Sequence, residues 1–196
     1  MRSVFLCLTA ALIAAAPVAA SAQAIGPASS KPVAVEQKTP LDELFADLKR
    51  ERKEHAAKRI ADRIWAEWRD SGSASIDVMM QWADTATKAE QWGVALDFLD
   101  RITVLAPEFA EGWNRRATVH FMMKNYAKSM ADIDKTLRLE PRHFGALAGM
   151  AQILKDTGKK QLALNAYERV LQVYPMMRSA QAEVVTLSDE LAGQGI

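Results

Sequence analysis

The sequence is poor in the residues from which most catalytic and metal sites are built. Among its 196 residues there is one cysteine, Cys7, and there are three histidines. Cys7 lies in an apolar segment that we expect to be cleaved off, so the mature chain is predicted to have no disulfide and no reactive thiol. His55, His120 and His143 lack the i, i+4 spacing of a helical zinc site. We therefore expect neither a metal nor a cofactor.

The sequence also has no excess of one charge. Its 25 basic and 24 acidic residues give a net charge of +1, and the loss of Arg2 with the first 22 residues lowers this to 0. Nucleic acids and anionic membrane surfaces attract basic proteins, so neither is an expected partner. The sequence contains no glycine-rich phosphate loop and no nucleophile elbow. We expect no catalytic residues and no enzymatic activity.

The amino terminus has the parts of a secretory signal peptide. Arg2 provides a positive start, an apolar run covers residues 4–16, and small residues follow at positions 20–22. The run is shorter than the roughly 20 apolar residues that a membrane-spanning helix needs. We expect residues 1–22 to be removed, which makes the mature protein periplasmic and leaves it without a membrane anchor. The expected cleavage site follows Ala22, and the alternatives are Ala20 and Ala24.

Residues 23–40 differ in composition from the rest of the chain. They contain three prolines and many small residues, and they show no helical periodicity. This composition is typical of a solvated spacer rather than of a packed element. We predict a flexible linker, with the capture of a partner by this segment as the alternative.

Three prolines recur at one spacing in the second half of the chain. Pro107, Pro141 and Pro175 follow one another at intervals of 34 residues. A period of this size indicates stacked supersecondary units. With the prolines at position 32 of each unit, residues 75–177 hold the units 76–109, 110–143 and 144–177. Positions 8 and 20 then always hold a small residue, which lets the two helices of a unit approach closely: Ala83, Ala117 and Ala151, and Ala95, Ser129 and Ala163.

This pattern resembles the tetratricopeptide repeat family, in which antiparallel helix pairs stack into an α-solenoid. The family pattern has leucine at position 7, a small residue at positions 8 and 20, an aromatic at 24 and proline at 32. Unit 3 matches it with Ala151, Ala163, Tyr167 and Pro175, whereas unit 1 departs from it with Trp82 at position 7. The resemblance implies an all-α fold. The expected helices cover residues 75–89, 92–105, 109–122, 126–139, 143–156 and 160–173.

Helices are also expected on both sides of the repeats. We predict that residues 178–196 form a capping helix and tail, since the stack would otherwise end on a bare apolar face. Residues 41–74 are predicted to be a degenerate repeat without the proline, with Ala61 and Trp65 at positions 20 and 24. One helix or two could cover residues 41–70, and we favour two, with a break near residues 51–55. Trp65 and Trp68 are expected to pack between this segment and unit 1.

Bulky residues have expected places within the same frame. Trp82, Trp92 and Trp113 lie at or next to packing positions, so they are expected in the core. The alternative is that one or two tryptophans are exposed and anchor a partner. Leu105, at position 30 of unit 1, is expected to fill the seam toward unit 2.

Polar residues outside the groove are expected to have structural roles. His120 takes position 11 of unit 2 and is predicted to pack, while His143 lies at a unit junction, where it would cap a helix or face solvent. Asp132 and Asp134 lie among basic residues and are expected on a salt-bridged outer face.

The resemblance also implies a binding groove, which the family forms from first-helix positions 2, 5, 9, 12 and 13. The residues predicted to bind protein there are Asp77, Met80 and Asp84 in unit 1, Asn114, Thr118, Phe121 and Met122 in unit 2, and Gln152 and Lys155 in unit 3. Only Asn114 matches the Lys/Asn/Arg clamp with which chaperone-binding members hold a carboxylate. A peptide with an apolar anchor between basic residues would fit better. The alternative is that this face packs against the terminal helices.

These features predict a non-enzymatic scaffold or adaptor of the bacterial periplasm that binds other proteins or peptides. The resemblance implies a role in cell-envelope assembly or integrity. The alternative is a structural module that self-associates as a homo-oligomer through unit edges or tryptophan-bearing surfaces.

Overall fold

The computed structural model describes residues 39–193. The predicted signal peptide and residues 23–38 of the predicted linker lie outside this range. Within it the chain forms nine α-helices and no β-strand, so the all-α prediction is confirmed. In chain order the helices are α1 (Pro40–Arg50), α2 (Glu54–Arg69), α3 (Ala74–Lys88), α4 (Trp92–Leu105), α5 (Ala110–Met122), α6 (Tyr126–Leu139), α7 (Phe144–Asp156), α8 (Lys160–Val173) and α9 (Arg178–Gly193). None of these helices is both long and apolar enough to cross a membrane.

Helix α1 begins earlier than the sequence predicted. The Thr39 hydroxyl accepts a hydrogen bond from the Asp42 backbone N–H, and the Asp42 carboxylate accepts one from the Thr39 N–H. Pro40 takes the first helical position, where a missing N–H costs nothing. The last two residues of the predicted linker are therefore the start of a helix. The chain breaks again at residues 51–53, which confirms the prediction of two helices.

Helices α3–α8 form three pairs whose ends agree with the predicted boundaries to within one residue. The six small residues at positions 8 and 20 are all at most 2% exposed. Their size lets the helices touch, and the Ser129 hydroxyl donates a 2.8 Å hydrogen bond to the Ala117 carbonyl across the second pair. The turn within each pair places position 15 in the left-handed region, with φ of 57° at Glu90, 59° at Lys124 and 75° at Gly158. The period is thus repeated in backbone conformation as well as in sequence.

The units stack through one stripe on the first helix of each pair, which we call the stacking stripe and define as positions 3, 7 and 10. It consists of Gly112, Arg116 and Val119 in α5, of Ala146, Met150 and Ile153 in α7, and of Ala180, Val184 and Leu187 in α9. In α7 the stripe packs on Ile133 of α6, and in α9 it packs on α8. Helix α9 therefore continues the repeat frame and caps the stack as predicted.

The first pair of helices, which we call the α1–α2 hairpin, leaves that frame. It packs against α5, α7 and α8 and not on unit 1. The Trp68 ring stacks on His143 with 4.0 Å between ring centroids, and Trp65 lies edge-on to Phe144 at 5.4 Å. The prediction that both tryptophans lie against unit 1 is wrong. They pack on the junction of units 2 and 3, where aromatic partners are available.

The hairpin is also tied to this junction by charge. Arg142 forms a 2.6 Å ion pair with Asp42 of α1, and its guanidinium lies 4.1 Å from the centroid of the Phe45 ring. Hydrogen bonds from Arg142 and Thr39 lower the pKa of the Asp42 carboxyl to about 2. These contacts hold the hairpin in one position on the junction of units 2 and 3, and we call this position the seat of the hairpin.

Candidate functional site

A pocket lies between the first helices of units 2 and 3, and we call it the α5/α7 groove. Its volume is about 230 Å³. Its walls are mostly apolar or small side chains, three uncharged polar residues line it (Asn114, Thr118 and Ser129), and no charged residue does. The residues that shape it are Asn114, Thr118, Phe121 and Met122 on α5, and Gly145 and Gly149 on α7.

The groove exists because α7 has glycines where it faces α5. A Cβ atom on Gly149 would lie 3.6 Å from Ile133, so an alanine would fit there. A Cβ atom on Gly145 would lie 2.6 Å from the Trp65 ring, closer than a real contact allows. Gly145 therefore both opens the groove and admits Trp65, which places the α1–α2 hairpin at one end of the groove.

The four predicted residues of unit 2 all line this groove. Asn114 is buried and donates a 2.8 Å hydrogen bond to Glu111. Thr118 is exposed, and Phe121 is half-buried with its ring 5.8 Å from that of Tyr126. Met122 is 55% exposed. The groove thus combines a fixed polar end with an accessible apolar end.

The predicted residues of unit 1 lie elsewhere. Met80 is 6% exposed inside the core formed by α3 and α4, so the prediction that it lines the groove is wrong. Asp77 accepts a 2.6 Å hydrogen bond from the Ser71 hydroxyl, and Asp84 forms an ion pair with Arg115 at 3.1 Å. Both carboxylates therefore already have partners within the protein, and they give no support to the expectation of basic flanking residues in a ligand.

The predicted residues of unit 3 are also engaged by neighbours and do not line the groove. Lys155 pairs with Glu183 of α9 at 2.6 Å. Gln152 accepts a 3.0 Å hydrogen bond from the Tyr167 hydroxyl and donates one of 2.7 Å to Asp156. At this end the stack is closed by α9, which agrees with the alternative that terminal helices cover part of the face.

A buried polar network joins the hairpin to the groove. His143 is fully buried, and its Nδ1 accepts a hydrogen bond from the Ala146 N–H, so it caps α7 and does not face solvent. Its Nε2 lies 3.2 Å from the Glu111 carboxylate. Burial raises the pKa of Glu111, but the hydrogen bond to His143 and the Arg115 guanidinium outweigh it, so the pKa lies below its ordinary value. The carboxylate is thus kept charged without contact with solvent.

The network makes its contacts inside the protein. The side chains of Glu111 and His143 are both 0% exposed, so each holds helices in place. His120 is buried as predicted, and burial lowers its pKa. Among residues 39–193 there is no cluster of three or more potential metal ligands.

A second buried ion pair was missed by sequence reasoning. Arg116 donates two hydrogen bonds to the Asp132 carboxylate, at 2.7 and 2.9 Å, and one of 2.8 Å to Asp100 of unit 1. Asp132 is buried, so its expected place on the outer face is wrong, whereas Asp134 does lie there, paired with Arg138. The signal was an arginine at position 7, where the family has leucine.

Three stacked helix pairs, with a repeated left-handed turn residue and a groove between first helices, define a solenoid of the tetratricopeptide type. The chain is 49% identical over 193 residues to a TPR repeat-containing protein of Rhizobium etli, and the match covers 95% of each chain. The chain belongs to the tetratricopeptide repeat (TPR) family. No family model matches the sequence.

Solved structures show the same fold. The Sgt2 TPR domain of Aspergillus fumigatus has a TM-score of 0.58 and 16% identity, covering 63% of this chain and 84% of that one. The first TPR of RPAP3, solved with the HSP90 peptide SRMEEVD, has a TM-score of 0.57 and 22% identity, covering 60% and 93%. MamA has a TM-score of 0.57 and 14% identity, covering 79% and 86%. All three structures are less than 25% identical to this chain, and the likeness is one of fold.

Proposed function

We propose that this protein is a non-enzymatic scaffold that binds a peptide or protein in the α5/α7 groove. The observation that carries the proposal is the groove itself, an open apolar pocket between first helices of adjacent repeats. Small-molecule sites usually have volumes of about 300–1,000 Å³. At about 230 Å³ the groove has room for one or two side chains, which suits an anchor residue of a longer chain.

The groove favours an apolar anchor over a terminal carboxylate. The first TPR of RPAP3 was solved with the acidic HSP90 peptide SRMEEVD. Carboxylates of such a ligand are held best by cationic groups and N–H donors. Here Asn114 is hydrogen-bonded to Glu111, and Lys155 is ion-paired with Glu183. The groups that remain open to a ligand are Phe121, Met122 and Thr118. We therefore propose a ligand that inserts a side chain such as Leu, Met or Phe.

Crosslinking in intact cells tests this proposal. A photoreactive amino acid replaces Thr118, which is exposed and lines the groove. The crosslinked products are identified by mass spectrometry for the protein with this probe alone and for the same protein with Met122→Glu or Leu162→Glu added. The two residues are matched, since they are 55% and 53% exposed, but Leu162 lies on α8 outside the groove.

A carboxylate at position 122 would have to lose solvent when an apolar anchor enters the groove, which opposes binding. Met122→Glu should therefore remove a product that Leu162→Glu leaves unchanged, while circular dichroism shows normal helicity for both. Equal labelling in the two variants, or no reproducible product, would show that the groove is not the binding site.

We also propose that the protein acts in the periplasm, in the assembly or integrity of the cell envelope. The location rests on the signal-like residues 1–22, which lie outside the described range, and the envelope role rests on the resemblance to the repeat family. A fusion of the complete coding sequence to a carboxyl-terminal alkaline phosphatase should be active, and the mature protein should begin at Gln23. An inactive fusion, or a protein that retains Met1, would contradict this location.

A further inference from the structure

Unit 1 exposes the surface through which every later unit is stacked. The stacking stripes of α5, α7 and α9 pack on a preceding second helix. The equivalent residues of α3 are Val78, Trp82 and Thr85, and all three are exposed, with Trp82 at 53%. Trp82 lies next to Phe98 of α4, with 5.4 Å between ring centroids. A Val–Trp–Phe surface thus occupies the open end of the stack.

The composition of this surface is not that of a solvated helix face. Outward faces of amphipathic helices are usually charged. The exposed residues of α3 are instead Ala74, Ser75, Val78, Gln81, Trp82, Thr85 and Lys88, and only Lys88, at the last position of the helix, is charged. Large exposed apolar groups with a polar rim mark interaction sites. The α3 stripe therefore fits another packed helix better than it fits water.

The described part of the chain does not supply that helix. The α1–α2 hairpin is the segment that would stack on α3 in a regular array, but it is seated on units 2 and 3. Arg142 holds it at Asp42, and Trp68 is stacked on His143. Movement of the hairpin to α3 would expose those partners, so the open end needs a cover from outside residues 39–193.

We propose that the α3 stripe is a self-association surface, covered by the α3 stripe of a second copy across a two-fold axis. A two-fold interface brings the same residues from both chains together, so it must be self-complementary. The stripe is uncharged, and its rim has both signs, with Lys88 and Arg101 against Glu90 and Asp97, all exposed. An antiparallel pairing can therefore set opposite charges against each other, and the net charge of +1 causes no long-range repulsion.

The first test measures molecular mass by sedimentation equilibrium over a range of concentrations. The protein is produced from its complete coding sequence. The wild-type protein should form dimers as concentration rises, and Trp82→Glu should weaken dimerisation by about tenfold or more, because a central tryptophan is a typical hot spot. Leu162→Glu, at matched exposure, and Met122→Glu, in the groove, should dimerise normally. Val78→Glu serves as a second stripe variant if Trp82→Glu folds poorly.

A wild-type protein that is monomeric at every concentration would overturn the proposal, as would dimers that Trp82→Glu and Val78→Glu leave intact. Because the groove and the stripe are separate surfaces, failure here leaves the proposed peptide-binding function standing.

The second test identifies what covers the stripe. Thr85→Cys in a Cys7→Ser background places one thiol on the stripe, and its rate of alkylation is measured. Cover by a second copy predicts labelling that slows as protein concentration rises, with no such dependence for Leu162→Cys. Slow labelling at all concentrations that is relieved by deletion of residues 23–38 would assign the cover to the chain's own segment. Fast labelling at all concentrations would show an open surface. Either of these last two results overturns the proposal.

Discussion

The α1–α2 hairpin and helix α9 both extend the three repeats, but they are placed by different means. Helix α9 repeats the stacking stripe, with Ala180 and Leu187 buried against α8, and it lies where the 34-residue frame puts it. The hairpin also has small and aromatic residues at frame positions, yet it bypasses unit 1. Its seat includes the stack of Trp68 on His143, the close approach of Trp65 to Gly145 and the ion pair of Asp42 with Arg142.

Helix α9 is placed by packing that recurs in every unit, whereas the α1–α2 hairpin is placed by contacts that occur once. A repeated stripe makes an equivalent contact in every unit, mostly through apolar residues and in α5 also through Arg116, so each neighbouring unit accepts it with little change. The seat of the hairpin requires a flat imidazole, an aromatic neighbour and the absence of a side chain at one position. Such a fit can override the order of the repeats, and here it leaves the first stripe, with Trp82, uncovered.

Removal of the Trp68 ring should have the largest effect. Trp68 is buried against His143 and Phe144, and the loss of a buried tryptophan costs about 3–5 kcal/mol. Urea unfolding of Trp68→Ala, followed by circular dichroism, measures the free energy of unfolding. Trp82→Ala is the matched control and should cost less than half as much at concentrations where the protein is monomeric. A larger cost for Trp82→Ala would mean that the hairpin covers α3 after all.

Shortening the Leu187 side chain, in the stacking stripe of α9, should destabilise the protein nearly as much. Leu187 is fully buried, and a Leu→Ala change in a core costs about 2–5 kcal/mol. Leu162→Ala changes the same residue type on the exposed side of α8 and should stay within about 0.5 kcal/mol. If thermal melting of Leu187→Ala matched that of the wild type, α9 would not be an integral cap.

A methyl group at position 145 should disturb the hairpin but not the repeats. Its Cβ would lie 2.6 Å from Trp65, and overpacking of this kind costs about 1–3 kcal/mol. Gly149→Ala on the same helix has its nearest neighbour at 3.6 Å and should be neutral or stabilising. Trp65→Leu should reduce the cost of Gly145→Ala in a double-mutant cycle, and full additivity of the two changes would argue against their contact.

Loss of the exposed ion pair between Arg178 and Glu54 should have the smallest effect on the free energy of unfolding. Arg178 pairs with Glu54 of the hairpin at 2.9 Å, and both side chains are about half exposed or more. Pairs of this kind contribute about 0–1 kcal/mol and weaken in salt. Chemical denaturation of Arg178→Gln at low and high salt measures this contribution. A loss much above that range would mean that charge, rather than aromatic packing, seats the hairpin.

Most of the repeat fold could be read from the sequence, because its determinants are periodic. The proline spacing and the small residues at positions 8 and 20 placed α3–α8 to within one residue. The groove was located through Asn114, Thr118, Phe121 and Met122, since first-helix positions follow from the same frame. The groove lies between units 2 and 3 only. Asp84 and Lys155, which were predicted to line it, form ion pairs with Arg115 and Glu183, and the repeat spacing does not specify these pairs.

The non-periodic features could not be read in this way. The seat of Trp65 and Trp68 depends on contacts between residues far apart in sequence. The burial of Asp132 follows from its pairing with Arg116. Leu105 was expected to fill the seam toward unit 2, but it is 66% exposed, so that prediction is wrong. Each of these depends on three-dimensional proximity, which a repeat frame does not contain.

The seat of the hairpin can be tested most directly by nuclear Overhauser effects from the two tryptophan rings. The account predicts contacts from Trp65 ring protons to the Gly145 α-protons and from Trp68 to the His143 ring, with none from either ring to α3. Contacts from Trp65 or Trp68 to Val78 and Trp82 instead would place the hairpin in the regular repeat frame. That result would contradict both the seat described for the hairpin and the open α3 stripe.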